Sequence, residues 1–178
     1  MIDEYKLFSY IKERADELKN YSKDGSAFFF LMASAYIDFL SCAINNQCSP
    51  GIKYCEFIQT YFGKVNPVYK QADVALAIYC VMRNGLLHNF SFAPEHRGVC
   101  RGNNITIKVF HVKNNDSEKD HMKMPNNKLL LIGAEPFACD IQKTVKKILI
   151  SSDIKLKSNI LKWCENHPPI APIGYFNK

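Results

Sequence analysis

Residues 26–44 read SAFFFLMASAYIDFLSCAI, and the fate of this run decides the fold. It is nearly long enough to cross a bilayer, which takes about 20 apolar residues. Asp38 sits inside it, however, and a carboxylate at mid-bilayer costs on the order of 2.5–3.5 kcal/mol. Ser26, Ser34, Tyr36 and Ser41 dilute it further. A helix that is apolar nearly all round and does not meet lipid is the buried centre of a bundle. The run therefore predicts a central helix over about residues 26–45, with no membrane as partner.

The flanking sequence supplies helices to surround it. Upstream, Tyr5, Phe8, Ile11, Ala15 and Leu18 recur at spacings of three and four, which predicts an amphipathic helix over about residues 3–20. The polar stretch NYSKDGS ends it, and Asp24 or Ser26 can cap the central helix. Downstream, Ser49-Pro50 and Asn66-Pro67 each place a capping residue before a proline at the first helical position. The helix after Pro50 is expected to bury Cys55, Ile58 and Phe62 and to stop at Gly63. The helix after Pro67 is expected to run to about residue 90 with two apolar stripes, and so to pack on both sides.

Pro94 ends the helical half. NITIKVFHV (104–112) alternates and is rich in β-branched residues, and KLLLIG (128–133) is a second apolar run. They predict a long-looped antiparallel pair. Helical spacing returns after Gly133, with Ile141, Val145, Ile148 and Leu149 on one face. SSD (151–153) marks a break, and KSNILKWCENH either continues that helix or begins another. The Pro-rich tail, about residues 168–178, cannot be regular helix. The expected fold is mainly α: one domain over residues 1–178, a bundle of five or six helices with a small β-hairpin inserted at about 104–133.

Composition fits this frame. An apolar fraction of 47% and a charged fraction of 22% are those of a globular domain and exclude a disordered chain. Residues 1–90 carry 9 Lys+Arg against 9 Asp+Glu, whereas residues 91–178 carry 14 against 8, so the whole net charge of +6 lies in the second half. Such asymmetry suits a polyanionic partner, and it equally suits a solvated lysine surface. The seven cysteines are odd in number and form no tight pairs, and the charged opening MIDEYKLFSYIKERADELK is no signal peptide. The expectation is a cytoplasmic protein with free thiols.

The chemistry-bearing residues lie in VMRNGLLHNF (81–90). Folding gains nothing obvious from Arg83 and His88 in an apolar helix. On an α-helix, five residues at about 100° each leave the two side chains roughly 140° apart. Either the helix bends near Gly85, or a second copy of the segment, packed about a two-fold axis, completes the site. Such a cleft suits a phosphodiester. Arginine offers a planar fork to phosphate oxygens, and histidine titrates near neutrality and moves protons.

The stretch Arg83-Asn84-Gly85-Leu86-Leu87-His88 resembles the R-x4–6-H motif of HEPN (higher eukaryotes and prokaryotes nucleotide-binding) domains, in which a polar residue often follows the arginine. The surrounding IYCVMRNGLLHNF resembles the apolar helix that carries the motif there. The resemblance implies a metal-independent endoribonuclease that works as a homodimer and needs no cofactor. The RNA 2′-hydroxyl would attack the adjacent phosphate, leaving a cyclic phosphate and a 5′-hydroxyl end. His88 would transfer the proton. Arg83 would bind the phosphate and stabilise transition-state charge. Asn84 would orient one of them or bond the phosphate, and Asp38 corresponds to a supporting acid. The implied setting is toxin–antitoxin or defence, with RNA and an antitoxin or other protein as partners.

The sequence departs from some toxin members at Phe90, where they carry a tyrosine that a nucleotidyltransferase antitoxin modifies. A second reading stands beside the first: a catalytically inactive HEPN-like scaffold, with Arg83 paired to Asp38 or Asp73 and His88 bonded to a carbonyl. For Asp38 the alternative to Arg83 is a backbone or tyrosine partner. No metal site is expected from His96, Cys100, His111 and His121, since no CxxC or HxxxH has a matching second half. GVCRGNN lacks the lysine of a phosphate-binding loop. Cys80, one turn before Arg83, is read as core, and Tyr175 and Phe176 as exposed tail aromatics.

Overall fold

A computed structural model describes residues 2–23, 27–48, 51–86, 92, 100, 105–110, 120–126 and 128–169. Its architecture is a mainly helical bundle with a small two-stranded sheet inserted before the last two helices. In chain order the helices are α1 (Glu4–Ser22), α2 (Ala27–Asn45), α3 (Ile52–Tyr61), α4 (Ala72–Ala77), α5 (Ala134–Leu149) and α6 (Ile154–Asn166). The strands are β1 (Thr106–Phe110) and β2 (Leu129–Gly133).

The SAFFFLM run forms α2. It is apolar and long enough to cross a membrane, yet Phe29, Phe30, Ala33, Ile37, Leu40, Ala43 and Ile44 are buried within this chain. It packs against α1, α3, α6 and the segment after α4. The amide of Asn159 on α6 donates to the Ile44 carbonyl in its last turn, at 2.8 Å. Phe137 of α5 lies among the rings of Phe29, Phe30 and Phe62, with centroids 6.5, 6.4 and 6.3 Å away. Burying rings of this size supplies much of the apolar driving force.

The caps behave locally. Asp3 accepts from the Lys6 amide and starts α1, and Asp153 accepts from the Leu156 amide and starts α6 as a separate helix after the SSD break. The Asn66 side chain accepts from the Val68 amide ahead of a 3-10 turn, Pro67–Lys70. The N-cap of α3 is Gly51 at φ 51°, one residue beyond the Ser49-Pro50 signal, whose two residues lie outside those described. So do Asp24, Ser26 and most of the Pro-rich tail, including Tyr175 and Phe176.

Four expectations are corrected. On α1 the buried stripe is Leu7, Ile11, Ala15 and Leu18, and Tyr5 is exposed. Cys55 on α3 is only half-buried, and Tyr54 and Phe57 are the buried residues beside Ile58. Over its described part, up to Leu86, the single helix expected from Pro67 to about 90 is instead a 3-10 turn, the short α4 and a π-helical segment, Ile78–Leu86; residues 87–90 lie outside those described. The two strands do not form an antiparallel hairpin: β1 runs parallel to β2, with Thr106 opposite Leu129 and Phe110 opposite Gly133. A parallel pair needs a long crossover, and residues 111–128 provide it. The antiparallel partner of β2 is the end of that crossover, since Met122 and Lys123 exchange backbone bonds with Leu131 at 2.8 and 2.9 Å.

Candidate functional site

The π segment Ile78–Leu86 carries the arginine. Eight of its nine residues are buried, and Arg83 is the one that reaches partway to solvent. A π ladder bonds i to i+5, so it fits more residues into each turn than an α-helix does. Residues five apart therefore lie more nearly over one another than α geometry allows. π segments are rare and occur frequently at functional sites.

The guanidinium is held on several sides. Arg83 Nη1 donates to Asn84 Oδ1 at 2.9 Å, and Nη2 donates to Asp38 Oδ2 of α2 at 3.4 Å. The Arg83 and Asp38 side chains are each 25% exposed, so the pair is partly screened by water. The guanidinium carbon also lies 5.8 Å from the centre of the Tyr79 ring, within cation–π range. Of the two alternatives for Asp38, the structure thus has the arginine. Asp73 instead accepts from the Val74 amide in the first turn of α4.

Asn84 is buried, and its amide nitrogen donates to Cys100 Sγ at 3.7 Å. It is placed to orient Arg83. Tyr54 lies beneath, its ring 5.4 Å from that of Tyr79. Its hydroxyl is held well above the ordinary tyrosine range by burial and by the nearby Asp38 carboxylate. His88 lies outside the described residues, as do Phe90, His96 and His111.

Cys80 and Cys100 form a disulfide, both fully buried. This corrects the expectation of free thiols throughout, while Cys80 lies in the core as expected; Cys42, Cys48, Cys55, Cys139 and Cys164 belong to no disulfide. The two partners are 20 residues apart, and only the fold brings their Cα atoms to 5.6 Å.

No family model, curated protein or solved structure matches the chain. The chemistry must be read from its own residues.

Sequence reasoning missed a second polar cluster. Asp140 of α5 is buried and accepts from the Tyr69 hydroxyl at 3.0 Å, while His121 Nε2 lies 3.1 Å from the same oxygen. The Gly133 amide donates to His121 Nδ1 at 3.2 Å. A backbone N–H can only donate, so Nδ1 carries the lone pair and the Nε2 proton points at Asp140. Burial, then the Asp140 charge and hydrogen bond, raise the Tyr69 hydroxyl well above its usual range. Both imidazole nitrogens are engaged and the His121 side chain is 6% exposed, so the cluster acts as a clasp rather than a proton shuttle. It fastens the crossover to the β2–α5 junction and to the Pro67–Lys70 turn. Its only sequence signal was an aspartate within the apolar stripe of a helix.

Proposed function

We propose that the chain is a HEPN-type, metal-independent endoribonuclease acting as a homodimer. Arg83 binds the scissile phosphate, His88 transfers the proton of the attacking 2′-hydroxyl, Asn84 orients Arg83, and Asp38 holds it from α2. The observation that carries this reading is the exposure pattern of residues 78–86. In a segment otherwise buried, the sole side chain reaching solvent is a guanidinium, braced by a carboxylate and an amide. A cation fixed in this way loses little freedom when it meets a phosphate. A dimer would supply two such groups to one cleft, and two imidazoles to share the acid and base roles. A toxin–antitoxin or defence role, with an antitoxin or other protein partner, belongs to the same proposal.

The scaffold reading has its own support. Arg83 already bonds Asp38 and Asn84 and lies over Tyr79, which a purely structural arginine would also do. One experiment separates the two. The purified protein, with EDTA present, is incubated with single-stranded RNA and the product ends are mapped. The nuclease reading expects cyclic phosphate and 5′-hydroxyl ends. It also expects a loss of roughly 10²–10⁴-fold in His88→Ala, the usual size of a proton-transfer contribution. Undiminished cleavage in His88→Ala refutes the assignment. No cleavage by the wild type, with a dimer confirmed by light scattering, leaves the scaffold.

A further inference from the structure

We propose that the Cys80–Cys100 disulfide is a redox-controlled tether on the Arg83 site. The proposal concerns regulation of the site described above and rests on that reading only for its effect on RNA. Two independent observations carry it. The first is topological. Cys80 lies in the π segment three residues before Arg83, and Cys100 lies beyond His88, so the bond closes a covalent ring that contains both. The span available to residues 81–99 is therefore set by whether that bond exists.

The second is a continuous set of contacts from the sulfur to the guanidinium. Cys100 Sγ accepts from the Asn84 amide at 3.7 Å, Asn84 Oδ1 accepts from Arg83 Nη1 at 2.9 Å, and Arg83 Nη2 donates to Asp38 at 3.4 Å. A shift of Cys100 is felt by Asn84, one of the groups that hold the arginine. The five remaining cysteines are in no disulfide, so the bond is selective for the pair that brackets the candidate site.

The step is a two-electron reduction. An external dithiol attacks one sulfur through its thiolate and resolves to its own cyclic disulfide. Cys80 and Cys100 each leave with one proton as thiols. Both sulfurs are buried, so the exchange proceeds through local opening and is slower than at a surface disulfide. The oxidised form holds the ring closed and Arg83 aimed. The reduced form releases Cys100 from Cys80 and loosens the hold of its sulfur on Asn84.

The test uses the full chain in two redox states. Protein prepared without reductant is alkylated in denaturant, which is needed because burial raises the Cys55 and Cys164 thiols to about 11 and about 12. Five labelled cysteines are expected, with Cys80 and Cys100 protected, rising to seven after dithiothreitol. Hydrogen exchange of peptides covering the buried segment 78–86 is expected to speed up at least tenfold on reduction, and the Cys80→Ser/Cys100→Ser variant is expected to match the reduced wild type in both buffers. Equal labelling of all seven without reductant, or exchange that ignores redox state, overturns the tether. RNA cleavage separates this failure from that of the nuclease reading. Redox-dependent exchange with no cleavage in either state leaves the tether and removes the nuclease. Equal cleavage in both states removes control of the site and leaves the nuclease.

Discussion

Asp140→Ala should be among the most damaging single substitutions in this chain, and its size follows from two donors that lose their buried carboxylate. Asp140 accepts from the Tyr69 hydroxyl at 3.0 Å and stands 3.1 Å from His121 Nε2, with all three side chains at most 10% exposed. Truncation takes the buried carboxylate from both donors and leaves only the longer Tyr69 hydroxyl–His121 Nε2 contact, at 3.4 Å, between them. Each such group costs about 1–3 kcal/mol, and breaking a buried charged network costs roughly 3–5 kcal/mol in total. In a domain of this size each kcal/mol moves the melting temperature by about 2–4 °C, so the loss is roughly 6–20 °C. Differential scanning calorimetry measures it directly. The sharper test is the sign of the coupling. In the wild type, Tyr69→Phe removes a bond to a carboxylate and costs about 1.5–3 kcal/mol. In the Asp140→Ala background the same change deletes a hydroxyl whose remaining contact is the longer one to His121 Nε2, so it should cost clearly less than in the wild type. Additive losses in the double variant would show that Tyr69 and Asp140 do not share the interaction described, and the clasp would have to be abandoned.

Two further predictions concern other parts of the core. A double-mutant cycle on Asp38→Asn and Arg83→Gln, read by urea unfolding, should give a coupling of about 0.5–2 kcal/mol for a half-buried pair, and a value indistinguishable from zero would mean that α2 does not hold the arginine. Tyr36, Tyr54 and Tyr69 are all raised above the ordinary value of 10.0, with burial as the first cause. Their folded pKa values exceed the unfolded one, so the stability they contribute is complete below about pH 10 and falls as pH rises beyond it. Ultraviolet titration should show three of the nine tyrosines ionising only together with unfolding, and smooth ionisation of all nine in a chain still folded would contradict the burial.

The local grammar of the chain was legible without a structure. The central helix, the Asn66 cap, the break at 151–153 and the two strand segments all depend on residues within one turn of each other, where periodicity and capping chemistry act. The Arg83–Asp38 pairing was partly legible for a related reason: an arginine and an aspartate in apolar helices each need a partner, but a backbone group or a tyrosine could have served Asp38 equally well. Asn84 was half legible, since the choice between touching phosphate and aiming Arg83 turns on its burial. Tyr5 misled because it fits a three-and-four spacing while Leu7, which lies on another side of the helix, faces the core.

The amino-acid order by itself determined where most of the helices lie, which helix is central, and that Arg83 is a side chain that could carry chemistry. Tertiary structure alone decided the rest. The direction of β1 against β2 is set by how the crossover returns along the far edge of β2, which no pattern inside either strand encodes. The Cys80–Cys100 bond joins residues 20 positions apart, and the clasp joins Asp140 to His121 and Tyr69, 19 and 71 positions away. Their geometry exists only after packing has brought the helices together, because contacts between distant residues depend on the whole core rather than on local spacing.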